Sequence, residues 1–129
     1  MFWYVVVGSA AGGGARFLVG SFIQARTGGT FPFGTLLVNV AGSFLVGLFL
    51  RYSMESVAIS ADVRGLLTAG FCGGFTTFST FSWETLRLVE DGNYARATAY
   101  VLASVGLSLA AAFAGIGLAR VILSARERL

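Results

Sequence analysis

The sequence predicts an all-α integral membrane protein with four transmembrane helices, and three observations carry that expectation. Of 129 residues, 56% are hydrophobic and only 12% are charged, whereas an ordinary soluble domain has about 25% charged residues. The mean hydropathy is +0.80. Three windows, Thr27 to Leu50, Gly65 to Trp83 and Ala97 to Ala119, contain no charged side chain. Each is close to or beyond the roughly 20 residues that span a bilayer as a helix. With no internal repeat, low-complexity tract or second hydrophobic unit, residues 1–129 read as one transmembrane four-helix domain.

The elements follow in order. Helix 1 is expected from about Phe2 to Ala25, where "FWYVVVGSAAGGGARFLVGSFIQA" is interrupted only by Arg16. A signal peptide would start with a basic region and end in a cleavage site. Phe2, Trp3 and Tyr4 instead read as an interfacial anchor of a retained helix. "RTGGTFPFG" then turns the chain through Gly28, Gly29 and Pro32. Helix 2 is expected from about Gly34 to Tyr52, followed by the polar link "SMESVAISADV". Segment 3 covers Arg64 to Val89 and ends at "EDGN", with Gly92 as the cap. Helix 4 runs from about Tyr94 to Leu123, and "SARERL" is a short charged tail.

Orientation is weakly specified. With both termini on one side, that side holds Arg51, Arg64, Arg120, Arg126 and Arg128, and the other holds Arg26, Arg87 and Arg96. The positive-inside rule acts through a clear asymmetry of Lys and Arg, and five against three leaves insertion both ways round as open as a single orientation.

Composition also excludes chemistry. Cys72 is the single cysteine and there is no histidine, so an internal disulfide and a Cys/His metal site are out of reach. Cys72 reads as a small buried thiol. No nucleotide-binding loop, acid/base pair or covalent nucleophile stands out, so the chain does not read as an enzyme, and no nucleic-acid partner is expected.

Several polar residues fall where lipid should be. Asn39 and Ser43 are four apart on helix 2, and Tyr100, Ser104 and Ser108 repeat every four residues on helix 4, so each set lies on one helix face. Such stripes serve either as interhelical hydrogen-bonding glue, worth about 0.6 kcal/mol per contact, or as the lining of a pathway. Arg16 costs roughly 2.5 to 3.5 kcal/mol at the bilayer centre, so it should face protein, water or an anion. Gly12, Gly13 and Gly14 beside it would let another backbone approach closely.

The stretch "AGFCGGFTTFSTFSWE" (Ala69 to Glu84) is apolar and yet a poor helix former. Gly70, Gly73 and Gly74 each weaken a helix by about 1 kcal/mol relative to alanine, so segment 3 is expected to break near Gly73 to Thr77. Irregular backbone at membrane depth is tolerated only where it is buried in protein or lines a cavity. Its freed carbonyls suit a small cation, and the restarted half-helix presents donors and hydroxyls. Beyond the break, Phe78 and Phe81 share a helix face, where such a pair serves either as ordinary packing or, through the positive edge of a phenyl ring, as a contact for an anion.

"GFCGGFTTFSTFSWE" (Gly70 to Glu84), with "GTLLVNVAGSFLVG" (Gly34 to Gly47) and "GGGARF" (Gly12 to Phe17), resembles the Fluc (CrcB-type) fluoride channel family over essentially the whole chain. The resemblance implies an antiparallel dual-topology homodimer in the inner (plasma) membrane, with two fluoride pores and a structural sodium ion at the breaks in the third helices. It implies that Phe78 and Phe81 are paired rings along the fluoride path, reached by Asn39 from helix 2. Thr77, Ser79, Thr80 and Ser82 belong to the same motif, and Tyr100, Ser104 and Ser108 would continue a polar track. Gly73 and Thr76 would offer backbone carbonyls to sodium, Arg16 would be a vestibule charge, and Glu84 would lie beside the pore. The implied activity is passive fluoride export that confers fluoride resistance, since a strongly hydrated anion shedding water needs replacement donors in steps.

Two rival classes are discriminated by residue type. A small proton-coupled multidrug exporter of four helices needs a membrane-embedded carboxylate, but helix 1 holds Arg16 and Glu84 lies near the end of segment 3. A scaffold subunit would account for glycine packing and leave the hydroxyl stripes unexplained.

Overall fold

Helix α1 (Phe2–Thr27) stops where Gly28 takes a left-handed conformation, φ 46°, with its N–H on the Gln24 carbonyl at 3.2 Å. Glycine has no Cβ to oppose that conformation. The computed structural model describes residues 1–56 and 58–128; the polar link and the charged tail each have one residue, Val57 and Leu129, outside the described set. Pro32, which has no N–H to lose, directly precedes α2 (Phe33–Glu55) and accepts from the Leu36 amide.

The third segment is assembled from pieces. Ser60 caps α3 (Ala61–Gly65) by accepting from the Val63 amide at 3.3 Å. A π-helical stretch, Leu66–Cys72, and a single α-helical turn, α4 (Gly73–Phe75), continue it. Thr76 and Thr77 are extended, and α5 (Phe78–Glu90) restarts the helix from Thr77. Gly92, at φ 76°, closes the next turn, and α6 (Tyr94–Arg126) completes the chain. Among the described residues there is no strand.

Three helices, α1, α2 and α6, are long and apolar enough to cross a membrane, with mean hydropathies of 1.3, 2.0 and 2.1. Their large side chains point outward: Phe17, Phe22, Phe113 and Val121 are all well exposed, as a lipid-facing surface requires. The Met1 amino group pairs with Asp62 at 2.7 Å, and Arg126 bonds Tyr52. At the opposite end Arg96 bonds Thr30, and the Phe31 ring meets Tyr100. The segment from Ala61 to Glu90 therefore runs from one end of the bundle to the other.

Glycines set the packing. A methyl group on Gly70 would lie 3.0 Å from the Gly8 Cα, and one on Gly8 would lie 3.0 Å from the Gly70 Cα. Gly12 is pressed in the same way against Phe71 and Phe75, and Gly74 against Ser9. The two backbones thus touch along Gly8-x-x-x-Gly12 and Gly70-x-x-x-Gly74, the small-residue spacing that lets helices approach without a solvent-driven term. In a π-helix the bonds run from i to i+5. That wider turn brings Gly65, packed on Met1 and Val5, into line with Gly70, packed on Val5 and Gly8. On the other side of the bundle, α2 and α6 cross where Gly47 meets Ala112 and Gly115 meets Phe44 and Leu48.

Two expectations are corrected here. Gly70, Gly73 and Gly74 are all within helical turns, and neither of the two positive-φ glycines, Gly28 and Gly92, is in this stretch. The irregular residues are Thr76 and Thr77, downstream of all three. The propensity cost of glycine is offset at Gly70 and Gly74 by close backbone contact with α1. Of the run at 12–14, only Gly12 is a close-packing residue; a methyl on Gly13 or Gly14 would meet nothing within 4 Å.

Candidate functional site

Thr77 is the centre of the site. Its amide would have bonded the Gly73 carbonyl in a continued helix; it donates instead to Asn39 Oδ1 at 2.7 Å. Asn39 Nδ2 donates back to the Thr77 carbonyl at 3.0 Å. The Thr80 amide, due to the Thr76 carbonyl in a continued helix, donates to Thr77 Oγ1 at 3.2 Å. Thr77 is thus an N-cap of α5, its Oγ1 also donates to Thr80 Oγ1 at 2.9 Å, and it lies 3.3 Å from Ser79 Oγ. The carbonyls of Gly73 and Thr76 are left without their helical partners. Thr76 keeps its own amide and hydroxyl on the Cys72 carbonyl, both at 2.9 Å.

A groove of about 610 Å³ opens beside this break, between α2, the π-helical stretch and α6. Asn39, Ser43, Thr76 and Thr77 line it, with Phe78, Phe81, Ser104 and Ser108. Gly73 and the buried Cys72 are also on its wall. The Phe78 and Phe81 centroids are 5.3 Å apart with planes at 45°; Phe78 is 78% exposed. Ser104 Oγ is buried and has no hydrogen-bond partner among the described residues. It is therefore a hydroxyl free to turn toward whatever occupies the groove.

A second cavity of about 390 Å³ lies on the opposite side of Thr77, lined by Arg16, Gln24, Thr35, Thr77, Thr80 and Glu84 among others. Arg16 forms no salt bridge among the described residues. Glu84 accepts from Thr35 Oγ1 at 2.8 Å and from the Tyr100 hydroxyl at 2.7 Å. Tyr100 is fully buried, stacked against Phe81 with centroids 5.2 Å apart.

The candidate residues therefore divide into two groups. Asn39, Phe78, Phe81, Ser104, Ser108, Gly73 and Thr76 share the larger groove; Arg16, Thr80 and Glu84 share the smaller cavity, and Thr77 borders both. Tyr100 reaches the smaller one through its bond to Glu84 and the larger one through Phe81. Ser79 and Ser82 line neither; Ser82 donates to the Phe78 carbonyl at 2.9 Å. The candidate residues thus fall into two compartments, with Thr77 between them.

Three residues of this arrangement carried no flag in the sequence. Thr35 is one helical turn before Asn39, so the polar stripe on α2 is Thr35, Asn39 and Ser43, and extending the four-residue spacing backwards would have found it. Gln24 bonds the carbonyls of Gly29 and Phe31 and the amide of Gly34 across the turn. Phe31, in that turn, packs on Tyr100 with centroids 5.6 Å apart, and no local pattern signals it.

Among the described residues no group of three or more His, Cys, Asp or Glu side chains could hold a metal ion. Gly73 and Thr76, whose carbonyls lose their helical donors, both line the larger groove, and backbone carbonyls are oxygen donors of the kind that hard cations take.

Residues 3–116 match the family described as CrcB-like protein, Camphor Resistance (CrcB). The chain is 48% identical over 117 residues to the fluoride-specific ion channel FluC of Syntrophotalea carbinolica, covering 91% of this chain and 95% of that one. Against the protein of the same name from Anaeromyxobacter dehalogenans the identity is 51% over 116 residues, covering 90% and 92%. Against that of Rhizobium meliloti it is 44% over 119 residues, covering 92% and 95%.

Proposed function

This chain belongs to the CrcB family, whose members of that name are ion channels and not enzymes, and on that premise we propose that it is a fluoride-selective channel. It works by passive conduction: fluoride that enters the cell as HF and dissociates inside leaves down its gradient, which confers fluoride resistance. The observation that carries this reading is the larger groove, where an amide, hydroxyls and two phenyl rings meet around a helix break. Fluoride binds its water strongly and can shed it only if protein donors replace it in steps of moderate strength. The second hydrogen of Asn39 Nδ2, the free Ser104 hydroxyl, Ser108 and the edges of Phe78 and Phe81 are such donors.

The pathway takes in both compartments. Arg16, with Thr80 and Glu84, forms the vestibule in which the anion is concentrated before it passes the Thr77 cap. Ser79 and Ser82 support the motif and do not touch the ion. The segment Ala61–Glu90 is the broken third of four membrane spans in the inner membrane, as its passage from one end of the bundle to the other supports.

The functional unit is an antiparallel, dual-topology homodimer. A groove open along one side and an exposed Phe78 support a second copy as its missing wall. Gly73 and Thr76 carbonyls from both subunits hold a structural sodium ion at the centre; their release from the helical ladder and the oxygen-only donor set support that assignment.

The test is efflux from liposomes containing the purified protein, read with a fluoride electrode and a chloride electrode in parallel. The expected result is rapid fluoride release with little chloride release. Comparable release of both, or of neither, refutes the reading.

A further inference from the structure

The aromatic contacts of the site do not end at Phe81. Phe78 meets Phe81, Phe81 stacks on Tyr100, Tyr100 meets Phe31, and Phe31 meets Phe33, with successive centroids 5.3, 5.2, 5.6 and 4.6 Å apart. Tyr100 is thus held between two rings, one from the motif helix α5 and one from the turn between α1 and α2. Both Phe31 and Phe81 pack on the small core that Tyr100 forms with Leu88 and Ala97.

The turn that carries Phe31 is itself fixed. Gln24 Nε2 donates to the Phe31 carbonyl at 3.2 Å and to the Gly29 carbonyl at 3.1 Å, while Gln24 Oε1 accepts from the Gly34 amide at 3.1 Å. Arg96, one turn before Tyr100 on α6, bonds the Thr30 hydroxyl. A turn anchored from both flanking helices and from α6 presents one ring in one place.

We propose that Phe31 is a positioning residue for conduction, acting through Tyr100: it fixes the Tyr100 ring so that the hydroxyl stays on Glu84 at the edge of the smaller cavity. Tyrosine has only two side-chain torsions, and with Phe81 on one side and Phe31 on the other the ring has no room to swing. The hydroxyl donates to Glu84 Oε2 at 2.7 Å while Thr35 occupies Oε1 at 2.8 Å, so ring and carboxylate are placed together. Without Phe31 the ring gains freedom, Glu84 keeps only the Thr35 donor, and the carboxylate is free to turn. The proposal rests on the fluoride-channel reading for its flux consequence, and its geometric part stands apart from it.

Two readouts test it. The first is fluoride efflux for Phe31→Leu, Phe31→Tyr, Tyr100→Phe and the double variant F31L/Y100F. F31L should lower flux by about twofold to tenfold, the range that one aromatic pair of this kind is worth, and F31Y should restore it. The double variant should be no slower than Y100F alone, because both changes remove the same hydroxyl placement. The second readout is ¹⁹F NMR of 3-fluorotyrosine in protein whose other tyrosines, Tyr4, Tyr52 and Tyr94, are replaced by phenylalanine. The Tyr100 signal should shift and broaden in F31L; F31Y, which would add a second fluorotyrosine, is read by efflux alone.

Losses that multiply in the double variant, or a Tyr100 signal unmoved by F31L, overturn the proposal. A wild-type protein that passes no fluoride sinks the channel reading alone, since the spectroscopic result stands without it. Phe31→Met keeps side-chain bulk without the flat ring and is carried through both readouts beside F31L. If neither variant assembles while F31Y does, Phe31 belongs to the fold only and the proposal is overturned.

Discussion

Asn39 and Thr77 bond to each other in both directions, side-chain amide to main chain, at 3.0 and 2.7 Å. The pair connects α2 to Thr77 in the extended stretch of the third segment, satisfying the backbone amide that the helix break releases and adding a second donor to the Thr77 carbonyl. Lipid offers no substitute partner. Asn39 is therefore part of what holds the break open, in addition to lining the groove.

The first prediction follows from that pair. Asn39→Ala strands the Thr77 amide, while the Thr77 carbonyl keeps its helical donor, and should destabilise the folded protein by roughly 1 to 3 kcal/mol. Asn39→Asp keeps the acceptor for the Thr77 amide, loses the donor to its carbonyl, and should lie between. Thermal unfolding in detergent ranks the three proteins. Equal stability of N39A and the wild type would show that the break is held by something else.

The paired rings give a second prediction. Phe78→Ile and Phe81→Ile keep a branched apolar side chain, somewhat smaller than the ring, and remove the positive ring edge, so fluoride efflux should fall while the assembled protein elutes at its normal size. Phe81→Ile should have the larger side effect on stability, because Phe81 is partly buried and stacked on Tyr100 while Phe78 is exposed. Full efflux in both variants would return the rings to ordinary packing.

The glycine ridge is testable by contrast. Gly8→Ala places a methyl against the Leu66 carbonyl and within 3.0 Å of the Gly70 Cα, and overpacking of this kind costs about 1 to 3 kcal/mol. Gly14→Ala, with nothing within 4 Å, should gain up to about 1 kcal/mol from helix propensity. Melting temperatures of the two variants should therefore move in opposite directions. A shift of the same sign would mean that the contact between α1 and the π-helical stretch is not the tight one described.

Much of this was legible in the residues, for identifiable reasons. The membrane helices follow from long apolar runs, and α1, α2 and α6 begin and end within a few residues of the expected positions because Gly28, Pro32 and Gly92 stop or start a helix by local geometry alone. The cause of the irregular stretch was not legible. Glycine is weak in an isolated helix, but whether that weakness breaks the helix or admits a neighbour depends on what lies across from it. Here α1 lies across from Gly70 and Gly74. The break at Thr76 and Thr77 depends on Asn39, 38 residues away. The division of the polar residues into two compartments is likewise tertiary: four-residue spacing places Tyr100, Ser104 and Ser108 on one face, but only the packed bundle turns Tyr100 toward Glu84. Thr35 was within reach of the same spacing rule; Phe31, in a turn with no period, was not.

The last prediction concerns the released carbonyls. In a continued helix the Gly73 carbonyl would accept from Thr77 and the Thr76 carbonyl from Thr80, and both donors go elsewhere. If two subunits present these oxygens to one sodium ion, the contact is through main chain only. Thr76→Ser should then keep sodium dependence, because its hydroxyl can still bond the Cys72 carbonyl as Thr76 does. Gly73→Val should disturb assembly or conduction: a branched side chain there loses torsional freedom in the turn and projects beside the carbonyl that must bind the ion. The decisive measurement replaces sodium by a large organic cation on both sides of the membrane. Diminished fluoride flux or a loosened dimer, restored by sodium, is the expected outcome. Undiminished flux with an unchanged dimer would mean that these carbonyls serve another partner.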